Sequence, residues 1–142
     1  MTAVGGAGDG ATFVDTNVLL DLVTDDPGFA DRSLGALEAA TLRGPLLVND
    51  VVYAELSVRY ARIADVDAFV TAAGLRREAL PRAALFLAGK AFLAYRRAGG
   101  TRTGVLPDFF IGAHAAVRGA PLLTRDAARY RSYFPDVEVI VP

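Results

Sequence analysis

Phe13-Val14-Asp15-Thr16-Asn17-Val18-Leu19-Leu20 is the stretch on which the fold turns. Thr12–Val14 has the length and apolar character of a short strand, Thr16–Val23 carries helical spacing, and Asp15 stands at the junction. An acid there deserves notice because open α/β sheets bind their ligands beyond the carboxyl ends of the strands. The same pattern recurs outward along the chain. Leu46–Val48, Leu75–Leu80, Pro121–Thr124 and Val137–Val141 are further strand-length runs, and longer helical stretches separate them. That alternation predicts an α/β fold on a parallel sheet.

The helices are predicted from about Pro27 to Gly44 and over Val51–Ile63, Val66–Ala73, Pro107–Gly119 and Ala127–Tyr133, with Asp50 and Asp65 expected as caps. The clearest joins Pro81, Ala84, Leu85, Ala88, Ala91, Phe92 and Tyr95 on one stripe, with Pro81 in its first turn and Gly99-Gly100 as its stop. Residues 1–11 have neither a basic start nor an apolar core, so they are expected to form a flexible leader rather than a signal peptide, with one domain over residues 12–142.

The absence of cysteine excludes a disulfide framework and a thiolate zinc site. Charges interrupt every apolar run before spanning length, so no membrane segment is expected and the cytoplasm is the expected location. A hydrophobic content of 53% and a mean hydropathy of +0.33 predict some apolar surface buried against a partner or a second copy. The net charge of −1 conceals a division: residues 1–71 hold 11 acids and 4 bases, residues 72–142 hold 5 acids and 11 bases. A phosphate polymer could meet the basic half, through candidates Arg76, Arg77, Arg96, Arg97, Arg102 and Arg125, while cations meet the acidic half.

Four acids carry the chemical reading. Asp15 and Asp126 each follow a strand, Asp108 follows Pro107 at a helix start, and Glu55 has Val51, Val52, Val58 and Arg59 as its helical neighbours. Each has an ordinary alternative: a helix cap for Asp15 and Asp126, a dipole contact for Asp108, an i+4 pair with Arg59 for Glu55. Independent caps need not converge, however, and two carboxylates ~5 Å apart repel by roughly 3 kcal/mol at an effective dielectric near 20. A converged set must bind protons or cations. Oxygen-only ligands select Mg²⁺ or Mn²⁺. His114, the sole histidine, lies among apolar residues of its helix and is expected to be a packed or surface residue rather than a ligand.

Four segments in this order resemble the PIN domain, and specifically the VapC-type toxins of toxin–antitoxin pairs: Phe13–Leu20, Val52–Leu56, Leu106–Ala115 and Leu123–Asp126. The resemblance implies a three-layer α/β/α fold with a central parallel sheet of about five strands. It implies that Asp15, Glu55, Asp108 and Asp126 hold one or two metal ions, that Thr16, Asn17 and Thr124 orient water or phosphate, and that the activity is Mg²⁺- or Mn²⁺-dependent endoribonuclease. Asp15 and Asp108 are expected as direct ligands; Glu55 and Asp126 bind directly or through water. A homodimer and a cognate antitoxin that blocks the site are further implications. The alternative is a degenerate PIN-fold protein that binds RNA or a partner without cleavage. An aspartyl phosphatase would need a second Asp where Asn17 stands, and a receiver domain would need a lysine after a late strand, whereas Lys90 falls in a predicted helix.

Overall fold

The computed structural model describes residues 8–102 and 104–142. Five parallel strands, β1 (Thr12–Val14), β2 (Leu46–Asn49), β3 (Leu75–Glu78), β4 (Leu122–Leu123) and β5 (Val139–Ile140), form one sheet in the order β3-β2-β1-β4-β5. Helices α1 (Thr16–Val23), α2 (Ala30–Thr41), α3 (Asp50–Ser57), α4 (Ile63–Ala72), α5 (Arg82–Arg97), α6 (Leu106–Arg118) and α7 (Ala127–Tyr133) complete a three-layer α/β/α arrangement.

The core explains which strands are mostly apolar. Every residue of β1, β2 and β4 is buried, as expected of parallel strands covered on both faces. The edge strand β3 exposes Arg76 and Arg77, and charged side chains at an edge discourage pairing with another chain. Helix α5 buries Ala84, Ala88 and Ala91 and packs along α6, whereas Leu85 of the predicted stripe is 44% exposed. Phe109 on α6 meets the rings of Phe92, Tyr95, Tyr133 and Phe134, all in edge-on geometry with centroids 5.2–6.2 Å apart. Gly112 lets α6 approach α7: a Cβ there would lie 2.5 Å from the Phe134 ring. Gly119 ends α6 in the left-handed conformation, φ 71°.

Several expectations are corrected. The two helices predicted over Val51–Ile63 and Val66–Ala73 are present with shifted bounds: α3 already stops at Ser57, where the amides of Arg59 and Tyr60 bond back to Leu56 and Ser57, and α4 begins at Ile63. Asp50 is inside α3, whose cap is Asn49, accepting from the Val52 amide at 3.0 Å. Asp65 likewise sits in the first turn of α4 behind Arg62, where its charge suits the helix dipole. Most of the predicted leader, residues 1–7, lies outside the described residues. Its tail is fastened: Ala11 is buried and the Asp9 carboxylate pairs with Arg118 at 3.0 Å. Among the described residues no helix is long and apolar enough to cross a membrane.

Candidate active site

Strand order creates the site. From β1 the chain passes to β2 and β3 on one side, then returns to β4 and β5 on the other, so the carboxyl ends of β1 and β4 flank the point where the topology reverses. A crevice opens there in sheets of this kind. Asp15 leaves β1 at that point, and Thr124, Arg125 and Asp126 leave β4 beside it. Helix α3 adds Glu55 and the start of α6 adds Asp108. The resulting cleft, about 230 Å³, is lined by all four acids together with Thr16, Asn17 and Leu20.

Asp15 is the most enclosed of the four, 4% exposed. Its Oδ1 accepts from the Thr16 amide at 2.7 Å, so it does cap α1. Its Oδ2 accepts from the Thr124 hydroxyl at 2.7 Å and the Tyr130 hydroxyl at 3.1 Å, with the Asn17 amide at 3.4 Å. Capping and site membership are therefore compatible, because different oxygens serve them. Burial pushes its carboxyl up to about 6; the Thr124 hydrogen bond opposes that and the Asp108 charge adds to it.

Glu55 turns to Thr16 rather than to Arg59, which is exposed: the Thr16 hydroxyl donates to Oε1 at 2.5 Å. Its supposed apolar face is only partly so, since Val52 is buried but Val58 is 84% exposed. Burial raises the Glu55 carboxyl, Thr16 opposes, and Asp108 raises it further. Asp108 is also raised, by burial first, with Arg129 opposing and Asp126 adding. Arg129 forms ion pairs with Asp108 and, at 3.3 Å, with Asp126. Asp126 heads α7 but its side chain makes no capping bond; its carboxylate lines the cleft while paired with Arg129.

Thr16, Asn17 and Thr124 thus tie the acids together. Asn17 spans the gap between β1 and β4, with its amide 3.4 Å from both Asp15 and Thr124 and its Oδ1 accepting from the Arg125 amide at 3.2 Å. His114 lies apart, 1% exposed, its ring 4.5 Å from that of Phe13 and its Nε2 3.5 Å from Glu78. Burial lowers its pKa, so it is a packed histidine. Of the six arginine candidates none lines the cleft itself; Arg125 lines a neighbouring pocket and Arg77 is held by Asp50 at 2.9 Å.

Sequence reasoning missed Tyr130 and Arg129. Tyr130 is 0% exposed, and burial together with Asp15 pushes its hydroxyl upward, so it stays a donor. Both follow Asp126 at helical spacing on α7, which is the signal that could have found them.

The residues fit a hard divalent cation chemically. The donors are all oxygens, and three of the four carboxyls are held above their ordinary range by burial and mutual repulsion, which a cation would relieve. Among the described residues no three acids stand close enough to close on an ion directly. Arg129 draws Asp108 and Asp126 to itself, and the threonines hold Asp15 and Glu55.

The PIN domain family matches residues 12–134, and the chain belongs to that family. Solved structures with similar folds include VapBC2 from Rickettsia felis bound to a DNA fragment from their promoter, at 16% identity and TM-score 0.71 over 92% of this chain and 98% of that one. VapBC-1 from nontypeable Haemophilus influenzae is similar at 16% identity and TM-score 0.68, covering 92% and 97%. VapBC-5 from Mycobacterium tuberculosis, a member of the VapBC family of toxin–antitoxin systems, gives 22% identity and TM-score 0.57 over 94% and 99%. No curated protein matches the sequence.

Proposed function

We propose that this PIN-domain protein is an Mg²⁺- or Mn²⁺-dependent endoribonuclease of the VapC type, acting as a toxin that a cognate antitoxin restrains. The observation that carries the proposal is the cleft at the sheet's switch point, which Asp15, Glu55, Asp108 and Asp126 all line and in which the buried Asp15 carboxyl is raised to about 6. Ordinary surface acids have no reason to be enclosed in this way. A bound divalent ion would supply positive charge opposite the scissile phosphate and acidify the attacking water.

Asp15 and Asp108 are the residues placed to hold such an ion, since both are enclosed and both gain from neutralisation. Glu55 is placed to take the proton of the attacking water, because Thr16 engages only Oε1 and its raised pKa makes it a better base than a solvated glutamate. Asp126 is the most solvated of the four and completes the ligand field directly or through water. Tyr130 and Thr124 fix the Asp15 carboxylate, so its geometry survives substrate binding. Water attacks phosphorus as Glu55 takes its proton, the bond to the leaving sugar oxygen breaks, and that oxygen takes up a proton from solvent.

The structural neighbours support an antitoxin partner, and exposed Leu42, Val58, Ile63 and Phe86 support burial of apolar surface in a homodimer or against that partner. Purified protein should cut single-stranded RNA with Mn²⁺, and both EDTA and Asp15→Asn should abolish cleavage. Undiminished cutting in either case contradicts the metal mechanism.

Arg129 pairing with Asp108 and Asp126 gives the binding-only reading its one specific support, because the arginine already neutralises two of the four acids. A degenerate domain would show no acid-dependent Mn²⁺ uptake.

A further inference from the structure

A second, larger pocket of about 430 Å³ opens next to the acid cleft and shares two walls with it, Asn17 and Asp126. Its size is within the range of small-molecule sites. Phe29, Arg32 and Arg125 supply most of its chemistry, and Val141 closes it on an apolar side. Arg125 is unusually fixed for an arginine of an outer loop. Its Nη1 donates to Asp21 at 2.7 Å, and Asp21, 3% exposed on α1, is itself held by the Ser33 hydroxyl at 2.6 Å. The guanidinium carbon sits 3.6 Å from the centre of the Phe29 ring. Its amide is bonded to Asn17 of the acid cleft.

Charge and geometry then assign roles. Asp21 neutralises Arg125 locally, so the residue is a weak phosphate anchor, and what remains is a planar, prepositioned surface. Guanidinium planes and aromatic rings are what unpaired RNA bases stack on. Among the described residues Arg32 pairs with no aspartate or glutamate: its side chain donates to the Pro142 main-chain oxygen, at 3.2 Å, and stands 4.9 Å from the same Phe29 ring. A cation beside a stacking platform, one wall away from the reacting phosphate, is the arrangement a flanking nucleotide requires.

We propose that this pocket receives the nucleotide next to the scissile phosphate, with its base stacked on the Arg125–Phe29 platform and its phosphate met by Arg32. The assignment rests on reading the acid cleft as the place where RNA is cut. It adds that the chain selects its cutting position partly through one unpaired base at this platform.

The test uses the full chain in EDTA, with 5′-AMP, 5′-UMP and adenosine titrated into ¹⁵N-labelled protein. Both nucleotides should shift the amides of Asn17, Phe29 and Arg125, and adenosine should bind more weakly than 5′-AMP. Phe29→Ser should weaken both nucleotides about tenfold by removing the platform's support. Arg32→Gln should remove the preference for 5′-AMP over adenosine while leaving adenosine unchanged. Arg32 is exposed, so that variant keeps the question answerable if Phe29→Ser unfolds. Absence of nucleotide-induced shifts at these amides, or a 5′-AMP preference that survives Arg32→Gln, overturns the proposal. Because neither metal nor cleavage enters the measurement, loss of cutting activity is a separate result: nucleotides that bind here to a protein that cuts nothing would contradict the nuclease reading alone.

Discussion

Replacing Asp15 by asparagine should make the metal-free protein more stable, not less. In the folded chain the Asp15 carboxyl is raised from 3.8 to about 6, chiefly by burial. Between those values the folded form retains a proton that the unfolded form has lost, so stability falls as pH rises through this window. At ~1.36 kcal/mol per pH unit, the interval corresponds to a destabilisation of ~3 kcal/mol that is complete above about pH 6 and absent well below pH 4. Glu55 and Asp108 act in the same direction, whereas His114, lowered by burial, acts in the opposite one. All three remain in the variant, so the difference between the two proteins isolates Asp15. Asparagine keeps an acceptor for the Thr16 amide and presents a donor to the Thr124 and Tyr130 hydroxyls, which can accept. Thermal unfolding in EDTA should give nearly equal midpoints at about pH 4 and a variant roughly 6–12 °C higher at about pH 7.5. Adding Mn²⁺ should raise the wild-type midpoint and leave the variant's almost unmoved. A pH-independent difference, or a variant less stable at about pH 7.5 without metal, would refute the claim that an uncompensated buried charge sits at Asp15.

Arg129→Gln should tighten Mn²⁺ binding by about tenfold, because it removes a cation that competes for Asp108 and Asp126; electron paramagnetic resonance of free Mn²⁺ reads this, and weaker binding would show that the arginine organises the ligands instead. Thr124→Val removes the hydrogen bond that lowers the Asp15 carboxyl, so in the metal-free protein the Asp15 carboxyl resonance should titrate at higher pH than in the wild type, an unchanged midpoint disproving the contact's role. Gly112→Ala should cost about 1–3 kcal/mol in urea unfolding, since its methyl would enter the Phe134 ring at the α6–α7 contact.

The sheet was legible because β1, β2 and β4 are short, mostly apolar runs each ending at a polar junction, and burial on both faces admits few polar residues there, Thr12 and Asn49 being the two. Asp15, Asp108 and Asp126 were legible for the same reason, since a strand end or helix start in a parallel sheet is a place and not merely a residue type; Glu55, inside α3, stood out only by its apolar helical neighbours. What could not be read was set by distance. A break between α3 and α4 was legible but its place was not: no glycine or proline marks the early end of α3, which is made by tight turns at Arg59 and Tyr60, and the Tyr60 ring lies 6.4 Å from Phe69 across it. Asn49 displaced Asp50 as the cap through a one-residue difference in where β2 ends. Arg129 and Tyr130 reach the other acids only because the return of β4 beside β1 turns α7 towards Asp15. The Asp21–Arg125 pair joins positions 104 residues apart.

Calorimetric titration of Mn²⁺ into the wild-type protein and into Asp15→Asn, Glu55→Gln, Asp108→Asn and Asp126→Asn tests most directly whether the four acids form one metal site. Saturable binding in the wild type that weakens about tenfold or more in each variant, most in Asp15→Asn and Asp108→Asn, is the expected result. Binding of equal strength in Asp15→Asn would contradict it.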